Sequence, residues 1–159
     1  EYRHEAFSLE ELAADVLGRL EPRAGAAGVD LVLDAEAGLP QVLADPLRIG
    51  QVLQNLTDNA VKFNHPGGDV CVRLRRQEDG NGVEVEVGDT GIGIGHEDLP
   101  HVFERFYTVD KSRGGNTGSG LGLAIAHQIV TGHGGELTVE SRVGGGTTFR
   151  FRLPAAADE

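Results

Sequence analysis

Pro46-Leu-Arg-Ile-Gly-Gln-Val-Leu-Gln-Asn-Leu-Thr-Asp-Asn-Ala-Val-Lys-Phe63 is the stretch whose reading decides the fold. Ile49, Val52, Leu53, Leu56, Ala60 and Phe63 recur at steps of three and four, which describes one buried helix stripe. At about 100° per residue, Gln51, Asn55, Asp58, Asn59 and Lys62 fall together on the other side. A polar outer face explains that stripe in isolation. Amide oxygens can also ligate a hard cation, and a lysine one turn away can meet an anion. Asp45 offers the N-cap and Pro46 the first helical position, so the helix has a defined start.

The chain has 159 residues, enough for one domain with a substantial core. It carries 14 basic and 25 acidic side chains, a formal charge of −11, which disfavours nucleic acid or an anionic membrane as partner. A local group of basic residues is therefore the more informative. The single Cys71 excludes an intrachain disulfide framework and shows no zinc-type spacing with the six histidines. No signal peptide is visible, and no apolar run approaches the ~20 residues of a membrane span, so a soluble, reducing compartment is expected.

Upstream, Phe7 to about Leu20 predicts a first helix, capped by Ser8 and closed by Pro22 and the Gly-Ala run to Gly28. Val29–Asp34 and Gln41–Ala44 are short extended pieces. Downstream, Val70, Val72 and Leu74 alternate with polar residues, as do Val83, Val85 and Val87, across a turn at Asp79-Gly-Asn-Gly82. Leu137 and Val139, then Phe149, Phe151 and Leu153, follow the same rule. Strands apolar on one face predict a mostly antiparallel sheet covered by helices on one side and open to water on the other. A long irregular region, about Gly91 to Asn116, marks a functional or mobile loop. A third helix is expected from about Ser119 to Gly132, and a frayed tail over 154–159.

Four loops carry candidate chemistry. Asp89-Thr-Gly-Ile-Gly-Ile94 follows a strand; its glycines let backbone approach a flat ligand, and its aspartate can accept from an exocyclic amine. A simple Asx turn is the other account of it. Thr117-Gly-Ser-Gly-Leu-Gly-Leu123 opens the third helix and offers free N–H groups to a polyphosphate, yet it matches neither the P-loop nor the dinucleotide fingerprint. Phe103-Glu-Arg-Phe-Tyr107 lies in the long loop, with Arg105, Lys111 and Arg113 able to reach phosphate oxygens and the aromatics able to anchor a lid. Gly144-Gly-Gly-Thr-Thr148 is a tight turn whose threonine hydroxyls could face a ligand.

Taken in order, Asn55/Asn59, Asp89-x-Gly-x-Gly, Phe-x-x-Phe, Gly-x-Gly-Leu-Gly and Gly-x-x-Phe resemble the N, G1, F, G2 and G3 boxes of the catalytic, ATP-binding domain of bacterial sensor histidine kinases. The lead-in Asp45-Pro-x-Arg and the His133-Gly-Gly135 stretch match the same family, and the resemblance runs from about Phe7 to Leu153. It implies a Bergerat (GHKL) fold of the α+β class: a two-layer α/β sandwich, with a mixed, mostly antiparallel sheet of roughly five strands and about three helices on one face. Residues 1–6 would end a linker from an absent dimerisation and phosphoacceptor domain, residues 7–153 would form the catalytic domain, and about 95–118 its lid.

The resemblance also implies roles. Asn59 would hold Mg²⁺ on ATP, with Asn55 supporting the metal or its waters, and Lys62 would contact phosphate. Asp89 would accept from adenine N6, with Gly91 and Gly93 lining the base pocket. Arg105, Tyr107, Lys111 and Arg113 would belong to the lid; Gly118, Ser119, Gly120, Leu121 and Gly122 would cradle phosphates, and Thr148 would face the nucleotide. The implied activity is ATP-dependent phosphorylation of a histidine on a separate helical domain, followed by relay to a response-regulator receiver domain, in a cytoplasmic fragment of a homodimeric protein of a kind that can be anchored in the cell membrane. No phosphoacceptor box is present, so neither the acceptor histidine nor a catalytic base is expected here. Gyrase-type, Hsp90-type and serine-kinase relatives place a glutamate where Asn55 stands, and an amide cannot act as that base. Thr108 departs from a common arginine and Asn64-His65 from a frequent Thr-Pro. A nucleotide-sensing module without transfer is the rival function.

Overall fold

The computed structural model describes residues 1–107 and 120–157. Glu5–Phe7 form a short strand, β1, and Leu9–Ala27 the first helix, α1. Ser8 caps α1 by accepting from the Glu11 N–H at 3.2 Å. The helix runs past Leu20, where the sequence reading ends it. Ala24 continues the buried stripe of Val16, Leu17 and Leu20, whereas Pro22 stands on the exposed side. Its missing N–H removes one helical bond without breaking the packed face. Gly28, left-handed at φ 73°, ends the helix instead.

Asp30–Ala35 and Val42–Ala44 are β2 and β3, and Pro46–Lys62 is α2. Asp45 caps α2 as expected, accepting from Leu47 and Arg48 at 3.1 and 3.3 Å. Asp69–Arg76 (β4) and Gly82–Asp89 (β5) form a hairpin, and a 3₁₀ turn occupies Leu99–His101. Gly122–Gly132 is α3, Thr138–Arg142 is β6 and Gly146–Pro154 is β7.

The main sheet has five strands in the order β2-β4-β5-β7-β6. Only β2 and β4 run parallel; the other pairs are antiparallel, as the one-sided alternation requires. Val70, Val72, Leu74, Val83, Val85, Val87, Phe149, Phe151 and Leu153 all point to one buried face. Ile49, Val52, Leu53 and Leu56 of α2 press onto it, with α1 on one flank of α2 and α3 on the other. This is the α+β two-layer sandwich with three helices on one face.

The opposite face is a charge ladder across the strands. Glu86 accepts from Arg73 at 2.5 Å and from Arg150 at 2.6 Å; Arg150 also reaches Glu140 at 2.7 Å, and Arg75 meets Asp34 at 2.8 Å. The Arg75 hydrogen bond holds the Asp34 carboxyl below the usual carboxylate range. Cys71 sits among these groups, where burial pushes its thiol up and makes it a poor nucleophile.

Both ends of the chain are more engaged than their sequence suggests. Glu5 and Ala6, assigned to a linker, pair with Ala44 and Leu43 in a two-stranded ribbon. The segment assigned to a frayed tail also stays bonded beyond β7: Ala155 bridges Val42, and Ala156 donates to the Gln41 carbonyl at 2.8 Å. Composition could not reveal this, because the short ribbon forms from backbone groups alone.

Candidate nucleotide site

The polar stripe of α2 divides between two neighbours. Asp58 turns to α1 and pairs with Arg23, while Lys62 lies 3.9 Å from Asp58 and keeps a 40% exposed side chain. Asn55, on the other edge, donates from Nδ2 to the Gly122 carbonyl at 3.1 Å. Asn59 is half-buried, and its amide has no hydrogen-bond partner among the described residues.

Asp89 closes β5 with a divided carboxylate. Oδ1 accepts from the N–H of Gly91 at 2.8 Å and of Thr147 at 3.2 Å, and Oδ2 has no partner among the described residues. Burial pushes the carboxyl above the usual range, although the two N–H groups pull the other way.

The glycines after Asp89 are set by the protein's own backbone. A Cβ on Gly91 would collide with the Phe63 carbonyl oxygen, and one on Gly93, at φ 77°, with the Arg142 carbonyl. Close approach of a ligand is therefore not needed to explain either glycine. The loop is stitched down on two sides: Ile92 donates to the Phe63 carbonyl at 3.0 Å and accepts from Gly144 at 2.8 Å, and Ile94 donates to Ser141 Oγ at 2.7 Å. Asn64 and His65, which stand where Thr-Pro is frequent in the resembled family, add to it. Asn64 donates to the Asp69 carbonyl at 3.1 Å, and His65 Nε2 donates to the Thr90 carbonyl at 2.9 Å.

Of the two phenylalanines expected to anchor the lid, only Phe103 does so, stacking on His127 of α3 at 4.7 Å and tilting against Phe149 at 6.1 Å. Phe106 is 69% exposed at φ 65°, and its N–H donates to the Gly120 carbonyl at 3.0 Å. Gly120, at φ 77°, accommodates this because a Cβ there would press on the Phe106 backbone. Tyr107 stacks on His101 at 5.3 Å, and its hydroxyl donates to Asp98, which pushes the phenol up to about 12. Arg105 is exposed. Leu121 precedes the first residue of α3, and Asn55 reaches Gly122 beside it. Lys111, Arg113, Gly118, Ser119 and Thr108 lie outside the described residues.

Thr148 does not join the site. Along β7 it shares a face with Arg150 and Arg152, and its Oγ1 lies against Gly88 on the charged side of the sheet. Thr147, whose hydroxyl the sequence groups with that of Thr148, is buried on the inner side; it donates its N–H to Asp89, and its hydroxyl meets Ser141 Oγ at 2.8 Å. Counting the pleat back from Phe149 would have distinguished them, since residues two apart share a face. The structure thus ties the Asp89–Ile94 loop to the end of α2 at Phe63 and the start of α3 to its middle at Asn55, with Asn59 between them along the helix.

Among the described residues no group of three or more His, Cys, Asp or Glu side chains could hold a metal, and no helix is long and apolar enough to cross a membrane.

The sequence model described as "Histidine kinase-, DNA gyrase B-, and HSP90-like ATPase" matches residues 44–157. The circadian input-output histidine kinase CikA of Synechococcus elongatus is 40% identical over 151 residues, which is 93% of this chain and 20% of CikA. Full-length ShkA, solved in complex with AMPPNP, superposes with a TM-score of 0.86 at 32% identity, over 99% of this chain and 33% of ShkA. The mycobacterial sensor histidine kinase MprB gives 0.81 at 33% identity, over 98% of this chain and 100% of the solved one. The chain belongs to the histidine kinase-, DNA gyrase B- and HSP90-like ATPase family, and within it to the catalytic ATP-binding domains of sensor histidine kinases.

Proposed function

We propose that this domain binds Mg-ATP between α2, the Asp89–Ile94 loop and the start of α3, and transfers the γ-phosphoryl group to a histidine on a separate helical domain. A response-regulator aspartate would then take it. The observation that carries the reading is the divided Asp89 carboxylate: two backbone N–H groups fix Oδ1, and Oδ2 is left to accept from adenine N6. ShkA, with its AMPPNP complex, supports an adenine nucleotide as the ligand.

The donor set fits a hard cation that arrives with its own anions. Asn59 offers a neutral amide oxygen, and among the described residues no carboxylate cluster competes with phosphate for the ion. Asn59 would hold Mg²⁺, with Asn55 near its waters, and the bound ion would neutralise phosphate charge. Everything else falls to the chain's own groups. Asp89 orients the base, the backbone at the start of α3 faces the phosphates, and Lys62 is loosely enough paired to turn toward them.

In the transfer, the bond from the γ-phosphorus to the bridging oxygen breaks as a bond to the acceptor imidazole nitrogen forms, and ADP leaves. The imidazole proton goes to a base on the acceptor domain. Asn55 cannot take it, because its amide is not basic and already donates to Gly122.

Incubating the chain with Mg-ATP and the acceptor hairpin of its own kinase should yield acid-labile, base-stable phosphohistidine on the hairpin. Nucleotide binding without that product would leave only a sensing module. Asn59→Ala should abolish metal-dependent nucleotide affinity while the far-UV spectrum stays unchanged; unaltered Mg-ATP affinity would remove the metal assignment.

A further inference from the structure

His133 ends α3, and its ring is held from both nitrogens. Nδ1 lies 2.8 Å from the Ile129 carbonyl oxygen, which can only accept, so Nδ1 carries the hydrogen. Nε2 is then the lone-pair side, and it accepts the Asp45 backbone N–H at 3.1 Å. Both bonds together require the neutral Nδ1–H tautomer. Tyr2 stacks on the same ring at 4.5 Å, and His4 tilts against it at 5.3 Å.

Asp45 is the other half of the joint and is only 7% exposed. Oδ1 caps α2, and Oδ2 accepts the Arg3 N–H at 3.0 Å. Burial raises this carboxyl, but the N–H groups of Arg3, Arg48 and Leu47 pull it net below the usual range, so it stays ionised where an imidazole titrates. One aspartate thus joins the lead-in, the head of α2 and the end of α3.

α2 and α3 run antiparallel and are tied twice, at Asp45–His133 and at Asn55–Gly122, about 15 Å apart along α2. We infer that His133 is a positioning residue for the nucleotide site, joining the lead-in strand and the head of α2 to the end of α3 in its neutral form, and that protonation of its ring opens this joint. The inference rests on the Mg-ATP reading above only for what it positions.

A protonated Nε2 would aim N–H at N–H and lose the Asp45 bond. Oδ1 of Asp45 already accepts twice and Oδ2 once, so reaching the remaining acceptor site on Oδ2 would require the ring to leave the Asp45 N–H. The other titratable or charged neighbours on the lead-in and the head of α2 are Tyr2, Arg3, His4 and Arg48. Across the groove that His133 lines, Arg152 lies 3.8 Å from Glu84 and Arg150 is held by Glu86 and Glu140, whereas Glu136 has no ion pair among the described residues. Because the Asp45 N–H can only donate, a proton on Nε2 breaks the bond between them. The joint therefore opens on acidification.

The test compares the 159-residue chain with His133→Phe, which keeps the stack on Tyr2 and removes both hydrogen bonds. Exchange of the Asp45 and Arg3 amides and affinity for a non-hydrolysable Mg-ATP analogue are followed from about pH 8 to 5. In the unsubstituted chain, Asp45 protection should fall as the His133 ring protonates, with analogue affinity dropping about three- to tenfold in step. His133→Phe should start from the low-affinity value and lose the part of the profile that follows ring protonation, keeping only the acid limb that Asp89 contributes. Asp45 protection that ignores ring protonation, or a His133→Phe profile identical to that of the unsubstituted chain, overturns the inference. If the variant does not fold, the unsubstituted chain's own response decides. Absence of analogue binding at every pH overturns the nucleotide reading and the positioning role with it, while the amide response still reads the joint.

Discussion

The side-chain amide of Asn55 donates to the main-chain oxygen of Gly122 at 3.1 Å, tying the middle of α2 to the first residue of α3. The tie requires a donor. A carboxylate at this position would meet the same carbonyl with a lone pair, so a catalytic glutamate and this helix contact exclude each other. Loss of a base at position 55 and gain of a fixed start for α3 are two consequences of one amide.

Substitution at position 55 should separate the two. Asn55→Ala removes one partly exposed hydrogen bond and should lower stability by about 1 kcal/mol. Asn55→Glu adds repulsion against the Gly122 oxygen and should melt lower than Asn55→Ala. Any gain in ATP hydrolysis in Asn55→Glu is expected to accompany that loss. A glutamate variant as stable as the parent chain in thermal melts would show that the Gly122 contact carries no weight.

Asp89→Asn tests the divided carboxylate. Asparagine keeps an oxygen for the Gly91 and Thr147 N–H groups but places an NH₂ where Oδ2 stands, opposite a donor on adenine. Affinity for adenine nucleotides should fall at least about tenfold, one lost charge-assisted bond, while the fold is retained. Burial raises the folded-state value, so the native state holds the proton more tightly than the unfolded chain. This group's contribution to stability is therefore most favourable below the unfolded value and declines as pH rises through the window up to the raised one. Nucleotide binding has the opposite sign, because a protonated Asp89 cannot accept at Oδ2. Its acid limb should lie above the ordinary carboxylate range and vanish in Asp89→Asn, as measured by calorimetric titration across pH.

Most of the architecture was legible in the chain. The two periods of the apolar pattern place the strands and helices, and Asp45-Pro46 fixes where α2 begins. The boundary of α1 was not, because a proline on the exposed side of a helix costs one hydrogen bond while the buried stripe continues. At the site, residue types announced Asn59 and Asp89, but their partners did not. The Asp58–Arg23 pair, the Asn55–Gly122 tie and the joint at His133 span 35, 67 and 88 residues, and no local pattern encodes which helix flank a polar stripe will face. The glycines of the Asp89 loop were legible as glycines, but no local pattern encodes the Phe63 and Arg142 carbonyl oxygens that crowd Gly91 and Gly93.

Gly93→Ala should distinguish that crowding from a role in admitting adenine. The left-handed backbone costs an alanine about 1–2 kcal/mol, and the Arg142 carbonyl occupies the space of its Cβ. A stability loss of at least about 2 kcal/mol in the nucleotide-free chain is expected from chemical denaturation. Were the glycine there only to admit adenine, the variant would be as stable as the parent and weakened in binding alone.

Thr148 and Thr147 offer a test by pleat. Thr148 shares the outer face with Arg150 and Arg152, so Thr148→Val should leave nucleotide affinity within about twofold of the parent, the range of a surface change away from the site. Thr147→Val keeps the backbone N–H to Asp89 but removes one of the three hydrogen bonds at Ser141 Oγ, which also accepts from Ile94 and donates to Gly146. It should cost about 1 kcal/mol of stability and loosen the Asp89 loop, with a parallel fall in affinity. Equal effects of the two substitutions on affinity would mean that β7 presents the opposite face to the nucleotide, and the assignment of Asp89 Oδ2 as the adenine acceptor would fall with it, since Thr147 and Asp89 are bonded on the same side.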